Sequence, residues 1–406
     1  MDTGGDYSSP GRHSMRMSFR NSSLTRRGFL GALASVAPAI ASAGRREGLQ
    51  PFDALAVSPL DDWGVVETTS GRYLVGELII RNQSQLPRPL LELRLGERPS
   101  APPTIRLASA DLQSRMANAS NNLPVPSRTL AAAESLLVFL WERIPAGVSM
   151  RSVALDVGTD ETAVGRATIT ATLTSPPVEP VRVQPPLAGG PWVALYDPHM
   201  PRGHRRVTFS RGSRLVVPAR FAVDWVRLDE AGRPTAAEAD DFGRWLGFGA
   251  DVLAAADGRV VAVRNSYPDV LTRERPAKWT DDDVAGNYVG LELTPGRFAF
   301  YEHLQRGSVR VKVGDSVRAG EPIARLGRSG VNSSGPHLHF HVSGDPSTLD
   351  AQGRPWALSQ FQLLGAYPSI AAALSGAPWS ADPTSAAPVV RDLFVGPNAV
   401  MRFDSQ

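Results

Sequence analysis

Along most of the chain, apolar and polar residues alternate one by one, and a repeat of two places successive side chains on opposite faces of an extended strand. In Arg72–Asn82, Leu74, Gly76, Leu78 and Ile80 alternate with Val75, Glu77, Ile79 and Arg81. In Arg166–Ser175, Ala167, Ile169, Ala171 and Leu173 alternate with Thr168, Thr170 and Thr172. Between them lie "LPRPLLELRL" and "SLLVFLWERI", separated by turns that contain Pro and Asn. Past residue 192 the strands resume, with glycines where they turn: "GADVLAAADGRVVAV", "GNYVGLEL", "RFAFYEHL" and "VRVKVGDSVRAGEPIARLGRSG". None of these segments carries the helical period.

The pattern predicts an all-β protein. Several half-buried strands at short spacing make residues 44–180 an immunoglobulin-like β-sandwich. The Pro- and Gly-rich "PPVEPVRVQPPLAGGP" suits neither helix nor sheet and sets a linker at 181–191, before a second antiparallel β-domain over 192–370. Residues 371–406, rich in Pro, Ala and Ser, read as a poorly ordered tail. The polar "SRMANASNNLPVPS" (Ser114–Ser127) reads as a loop, and the charged, Pro-containing stretch Asn265–Gly286 as a long loop bordering a functional cleft.

Composition changes this picture in three ways. The chain has 43 Lys+Arg against 40 Asp+Glu, but its first 43 residues contain five arginines and only Asp2 and Asp6, so the rest is balanced. A nucleic-acid partner is therefore excluded, since phosphate binding needs clustered positive charge. The same leader joins Arg26-Arg27 to an apolar run from Gly28 to Ile40 and an Ala41-Ser42-Ala43 cleavage pattern, as in a twin-arginine export signal. The run falls short of the ~20 residues that span hydrocarbon, so the mature protein is expected to have no transmembrane span. It would be exported to a periplasmic, extracellular or cell-wall location. The chain has no cysteine, so any metal must be held by His, Asp or Glu.

Three of the seven histidines fall in "GPHLHFH", Gly335–His341. On a strand His337, His339 and His341 share one face, with Leu338 and Phe340 buried behind them, a geometry that can present imidazoles to one metal. The longer segment "GDSVRAGEPIARLGRSGVNSSGPHLHFHV" resembles the signature of lysostaphin-like or LytM-type zinc peptidases, which cut peptidoglycan. The upstream "YEHL" (Tyr301–Leu304) and "ADGRVVAV" (Ala256–Val263) are similar to that family too. The resemblance implies Zn2+ as cofactor, His339 and Asp224 (in "RFAVD") as ligands, and His303 and His337 as the catalytic pair. It implies peptidoglycan peptides, or another extracytoplasmic peptide, as substrate.

One position departs from the family pattern. Four residues before Asp224, where the resemblance calls for a third ligand histidine, stands Arg220, which is always protonated and cannot coordinate zinc. Either His204 substitutes, through a hairpin turning at Ser210-Arg211-Gly212 whose parity decides its face, or His341 does. In the remaining alternative Arg220 pairs with Asp224 in place of a cation, leaving a degenerate domain that binds cell wall or regulates an amidase. A purely adhesive or carbohydrate-binding protein built on the sandwich rests on its strand pattern alone.

Overall fold

The chain divides into two units, Met1–Gly48 and Leu49–Gln406. The computed structural model describes residues 55–404, apart from 99–100, 149–150, 159–165, 173–177, 202, 236–240, 273–278, 332–334 and 382–386. All of these belong to the second unit. The leader and its cleavage pattern lie outside the described residues.

Two five-stranded sheets face each other over residues 55–172. One orders Leu55–Pro59, Gly71–Asn82, Ser135–Ile144 and Met116–Asn118, with Gly64–Thr68 also paired to Gly71–Asn82. The other orders Arg166–Thr172, Ser152–Gly158, Arg88–Gly96 and Ile105–Ala108, with Thr129–Leu130 beside Arg88–Gly96. Leu74, Leu78 and Ile80 point inward to a core with Leu93, Val138 and Leu155.

The alternation in Gly71–Asn82 does not make it half-buried, because its outer face is covered as well. Val75 and Trp141 enter the core of the second domain, and Ile79, Leu137 and Phe139 pack on Val217. At the centre of this contact Glu77, 2% exposed, forms an ion pair with Arg220, 1% exposed. The edge strand Arg166–Thr172 keeps the half-buried alternation that the sequence predicts.

The second domain is built on one sheet of 13 strands. Its central order runs Trp356–Ala366, Ala399–Phe403, Gly189–Leu195, Val223–Arg227, Leu338–Ser343, Arg297–Leu304, Asn287–Thr294 and Gly258–Arg264. Two expectations are corrected here. The stretch expected as a linker supplies Val181–Val183, paired with Trp356–Leu358, and the first three residues of Gly189–Leu195. The stretch expected as a tail supplies Ala399–Phe403, which lies between two strands with Val400 and Met401 fully buried. Both strands are short and flanked by Pro or Gly, so local composition masks them.

Candidate functional site

The site forms where three neighbouring strands present one residue each at the same level of the sheet. His339 pairs directly with Asp224 on one side and with Glu302 on the other. Antiparallel pairing brings such residues onto one face within side-chain reach. The opposite face of the histidine strand buries Leu338, Phe340 and Val342, with Phe340 packed against Trp356 at 5.1 Å.

His303 requires a break in the strand. By simple alternation it would point away from Glu302, but the register shifts between Tyr288↔Glu302 and Asn287↔Leu304, so His303 is the extra residue of a bulge. Its φ is +63°, a region non-glycine residues rarely adopt, at a cost of roughly 1–3 kcal/mol. The bulge is pinned because the His303 amide donates to the Ala285 carbonyl and the Gly327 amide to the His303 carbonyl. It turns Glu302 and His303 into the same cleft, as bulges beside functional sites do. His303 Nδ1 lies 2.9 Å from the carbonyl oxygen of Ser329 and donates to it. This gives the segment Gly327-Arg328-Ser329-Gly330 a physical role, since Gly330, with φ +85°, lies so close to the Gly286 backbone that a Cβ would fall 2.6 Å from its nitrogen.

His337 is anchored in the same manner, with Nδ1 2.9 Å from the Gly335 carbonyl, and Gly335 leaves room for the Trp245 ring at 2.4 Å from where a Cβ would stand. The His303 and His337 rings are 4.8 Å apart. Both line a cleft of ≈ 220 Å³ with His204, Asp224, Glu302, His339 and His341. Val284, at the end of the long insert, lines it too, as expected for that loop; residues 273–278 are outside the described set. A larger cavity of ≈ 690 Å³ lies between the sandwich and Trp356, but the imidazoles converge on the smaller cleft.

The structure brings His204 to Asp224 by a route other than the hairpin expected. The hairpin turns at Gly212-Ser213, pairing Arg211 with Arg214 and Phe209 with Val216, and His204 lies before it in a 3-10 turn, His204–Arg206. Strand parity is therefore irrelevant to its position. Its Nε2 is 3.4 Å from Asp224 Oδ2, while His339 Nδ1 is 2.9 Å from Asp224 Oδ1. Metal–ligand bonds of ~2.0–2.1 Å in a tetrahedron imply ligand separations of about 3.4 Å. The ligand atoms of His204, Asp224 and His339 lie within 4.8 Å of one another, a donor set that fits a divalent metal.

Arg220 does not replace that cation. Its guanidinium turns to the opposite side, to Glu77 and to the Asp62 carbonyl oxygen at 2.9 Å, so the pairing with Asp224 allowed by the sequence is absent.

Arg205 and Arg206, which follow His204 directly, are buried despite their charge, at 4% and 3% exposed. Arg205 lies 4.0 Å over Trp141 and 4.4 Å over Tyr196 and donates to the Arg220 carbonyl. Arg206 donates to the carbonyls of Ser114 (2.7 Å) and His199 (3.1 Å), and Asn122 donates to the carbonyl of Arg206. The polar stretch Ser114–Ser127 is thus a clamp on the His204 turn. The sequence reads Ser114–Ser127 only as a loop, and nothing in "YEHL" marks Glu302 as facing the cleft.

Electrostatics follow burial and neighbours. Burial alone would raise the Asp224 carboxyl, but the imidazoles of His204, His337 and His339 hold it well below the usual carboxylate range. Burial pushes His204 down to about 4 and holds His303 well below its ordinary value, so both are neutral at neutral pH. For His339 burial works downward, but the hydrogen bond to Asp224 and the charge of Glu302 outweigh it and leave its pKa raised. Burial pushes the Glu302 carboxyl up to about 7 against the pull of His339.

Residues 246–351 match the sequence profile of Peptidase family M23. The match contains His303, His337, His339 and His341; His204 and Asp224 lie before it. Among solved structures, the chain is similar to the catalytic domain of the antimicrobial peptidase lysostaphin from Staphylococcus simulans, at 25% identity over 33% of this chain and 74% of that one, with a TM-score of 0.21. A mutant catalytic domain of the prophage-encoded M23 protein EnpA from Enterococcus faecalis matches at 21% identity over 42% and 92%, with a TM-score of 0.25. A complex of SpoIIIAH and SpoIIQ matches at 17% identity over 43% and 96%, with a TM-score of 0.26.

Proposed function

We propose that this chain, whose residues 246–351 match peptidase family M23, is an exported zinc metalloendopeptidase of the LytM type acting on peptide bonds, those of peptidoglycan first. The observation that carries the reading is the convergence of His204, Asp224 and His339 beside the His303–His337 pair. Zinc held by those three residues would supply Lewis-acid polarisation of the scissile carbonyl.

The remaining chemistry belongs to the chain. Because Nδ1 of His303 and of His337 each faces a carbonyl oxygen, Nδ1 carries the ring proton and Nε2 is the accepting atom in the neutral ring. His303 Nε2 takes a proton from the attacking water and returns it to the leaving amine. Once it holds that proton, the His303 ring, with His337 beside it, can donate to the charge developing on the carbonyl oxygen. The buried Nδ1 contacts fix both rings before substrate arrives, which limits reorganisation during the reaction.

Arg220 is the one residue that speaks for a degenerate domain that binds cell wall or regulates an amidase. Its pairing with Glu77 favours the hydrolytic reading, because Asp224 keeps its oxygens for other partners. Export, to the periplasm or cell wall, rests on the twin-arginine-type leader.

The test is release of free amino groups from purified peptidoglycan by the zinc-loaded protein, beside a His303→Ala variant. Loss of one proton-transfer group is expected to lower the rate about 10²–10⁴-fold. Absence of turnover by the zinc-loaded wild type on peptidoglycan and on a panel of peptides would return the domain to a binding role.

A further inference from the structure

Two side chains of the cleft take no part in the three-ligand set. Glu302 is 4% exposed and His341 1%, and both line the same cleft as Asp224 and His339. Glu302 Oε1 and both ring nitrogens of His341 have no hydrogen-bond partner. His341 Nδ1 and Glu302 Oε1 are 3.8 Å apart, longer than a hydrogen bond. Leaving a buried polar atom without a partner is costly, so three such atoms on one wall call for a partner from outside the chain.

The geometry specifies that partner. The ring of His341 is stacked on Phe300 at 5.4 Å and 20°, which fixes its plane. The ligand atoms of Glu302, His339 and His341 lie within 4.8 Å of one another. His339 Nδ1 is engaged at Asp224, so Nε2 is the atom that ring has left to offer. Two imidazole nitrogens and a carboxylate oxygen form a donor set suited to zinc and its divalent neighbours.

We propose that Glu302, His341 and Nε2 of His339 hold a second divalent cation, joined to the first through the His339 ring. Coordination on both nitrogens requires that ring to release its N–H proton to solvent. The resulting imidazolate, with Asp224 and Glu302, contributes three negative charges against the four positive charges of two cations. The second ion would fix the His339 plane from behind, as partners of metal-bound histidines do. The inference extends the site proposed above, and its readout is metal content rather than hydrolysis.

The experiment is to strip the full-length protein with a chelator, dialyse it against Zn2+, and measure zinc per chain in wild type, His204→Ala, Glu302→Gln and His341→Gln. Thermal unfolding reports whether each variant folds, and the wild-type count stands without them. Two zinc ions in wild type and one in each of Glu302→Gln and His341→Gln are expected. A single ion in wild type that is lost in His204→Ala overturns the second site and leaves the peptidase centre standing. Two ions retained in both Glu302→Gln and His341→Gln would place the extra ion elsewhere and overturn the inference. No zinc at all overturns both readings.

Discussion

At the scale of single residues, position and role have come apart. The position where the sequence resemblance called for a ligand histidine holds Arg220, and its guanidinium is committed to Glu77 in the interior. Removing one member of a buried ion pair leaves the other charge uncompensated, typically at 3–5 kcal/mol. Arg220→His, which supplies the histidine that the sequence resemblance implies, should therefore lower stability by about that amount, without raising zinc affinity, because the new imidazole would sit on the Glu77 side. Denaturant unfolding and a zinc competition titration on the same variant check this. A stable variant that binds zinc more tightly would show that His204 is not the working ligand.

At the scale of elements, the strand Leu338–Ser343 was legible because alternation needs only a repeat of two, and that repeat places His337, His339 and His341 together. What alternation cannot report is what lies against each face. Gly71–Asn82 reads as half-buried, while Val75, Glu77 and Ile79 are covered by residues far along the chain. His303 shares a face with Glu302 only because a bulge interrupts the period, and a bulge has no signature in "YEHL". The His204 turn is set by the aromatic box around Arg205 and the carbonyls around Arg206, whose members Trp141, Phe394 and Ser114 lie far from it along the chain, contacts that no local pattern encodes. The turn also yields a prediction: Arg206→Ala should weaken zinc binding about 10–100-fold, as loss of an outer-shell support does. Exposed Arg214→Ala should leave it unchanged. Equal affinities, measured by competition with a chromophoric chelator, would remove the clamp from the account.

At the scale of the whole molecule, the segment matching family M23 stops at residue 351, but the sheet supporting it does not. Ala399–Phe403 pairs with both Gly189–Leu195 and Trp356–Ala366, and Trp225 packs on Phe403 at 5.4 Å. A chain ending at residue 386 would leave two strand edges and the Trp225 face uncovered, so it should aggregate or lose fixed tertiary structure, as followed by solubility and near-ultraviolet dichroism. A soluble, native-like truncation would mean that strand is dispensable. The His204 turn has a further consequence. Two of the three proposed ligands belong to the sheet, and the third is held from the sandwich by Arg206 and Asn122. Separation of the sandwich and release of the ion are then linked equilibria with one coupling free energy, which must be the same read from either side. Zinc would tighten the docking of the sandwich by the same factor that docking tightens zinc, so a force or partner that peels the sandwich away would discharge the metal without touching the cleft.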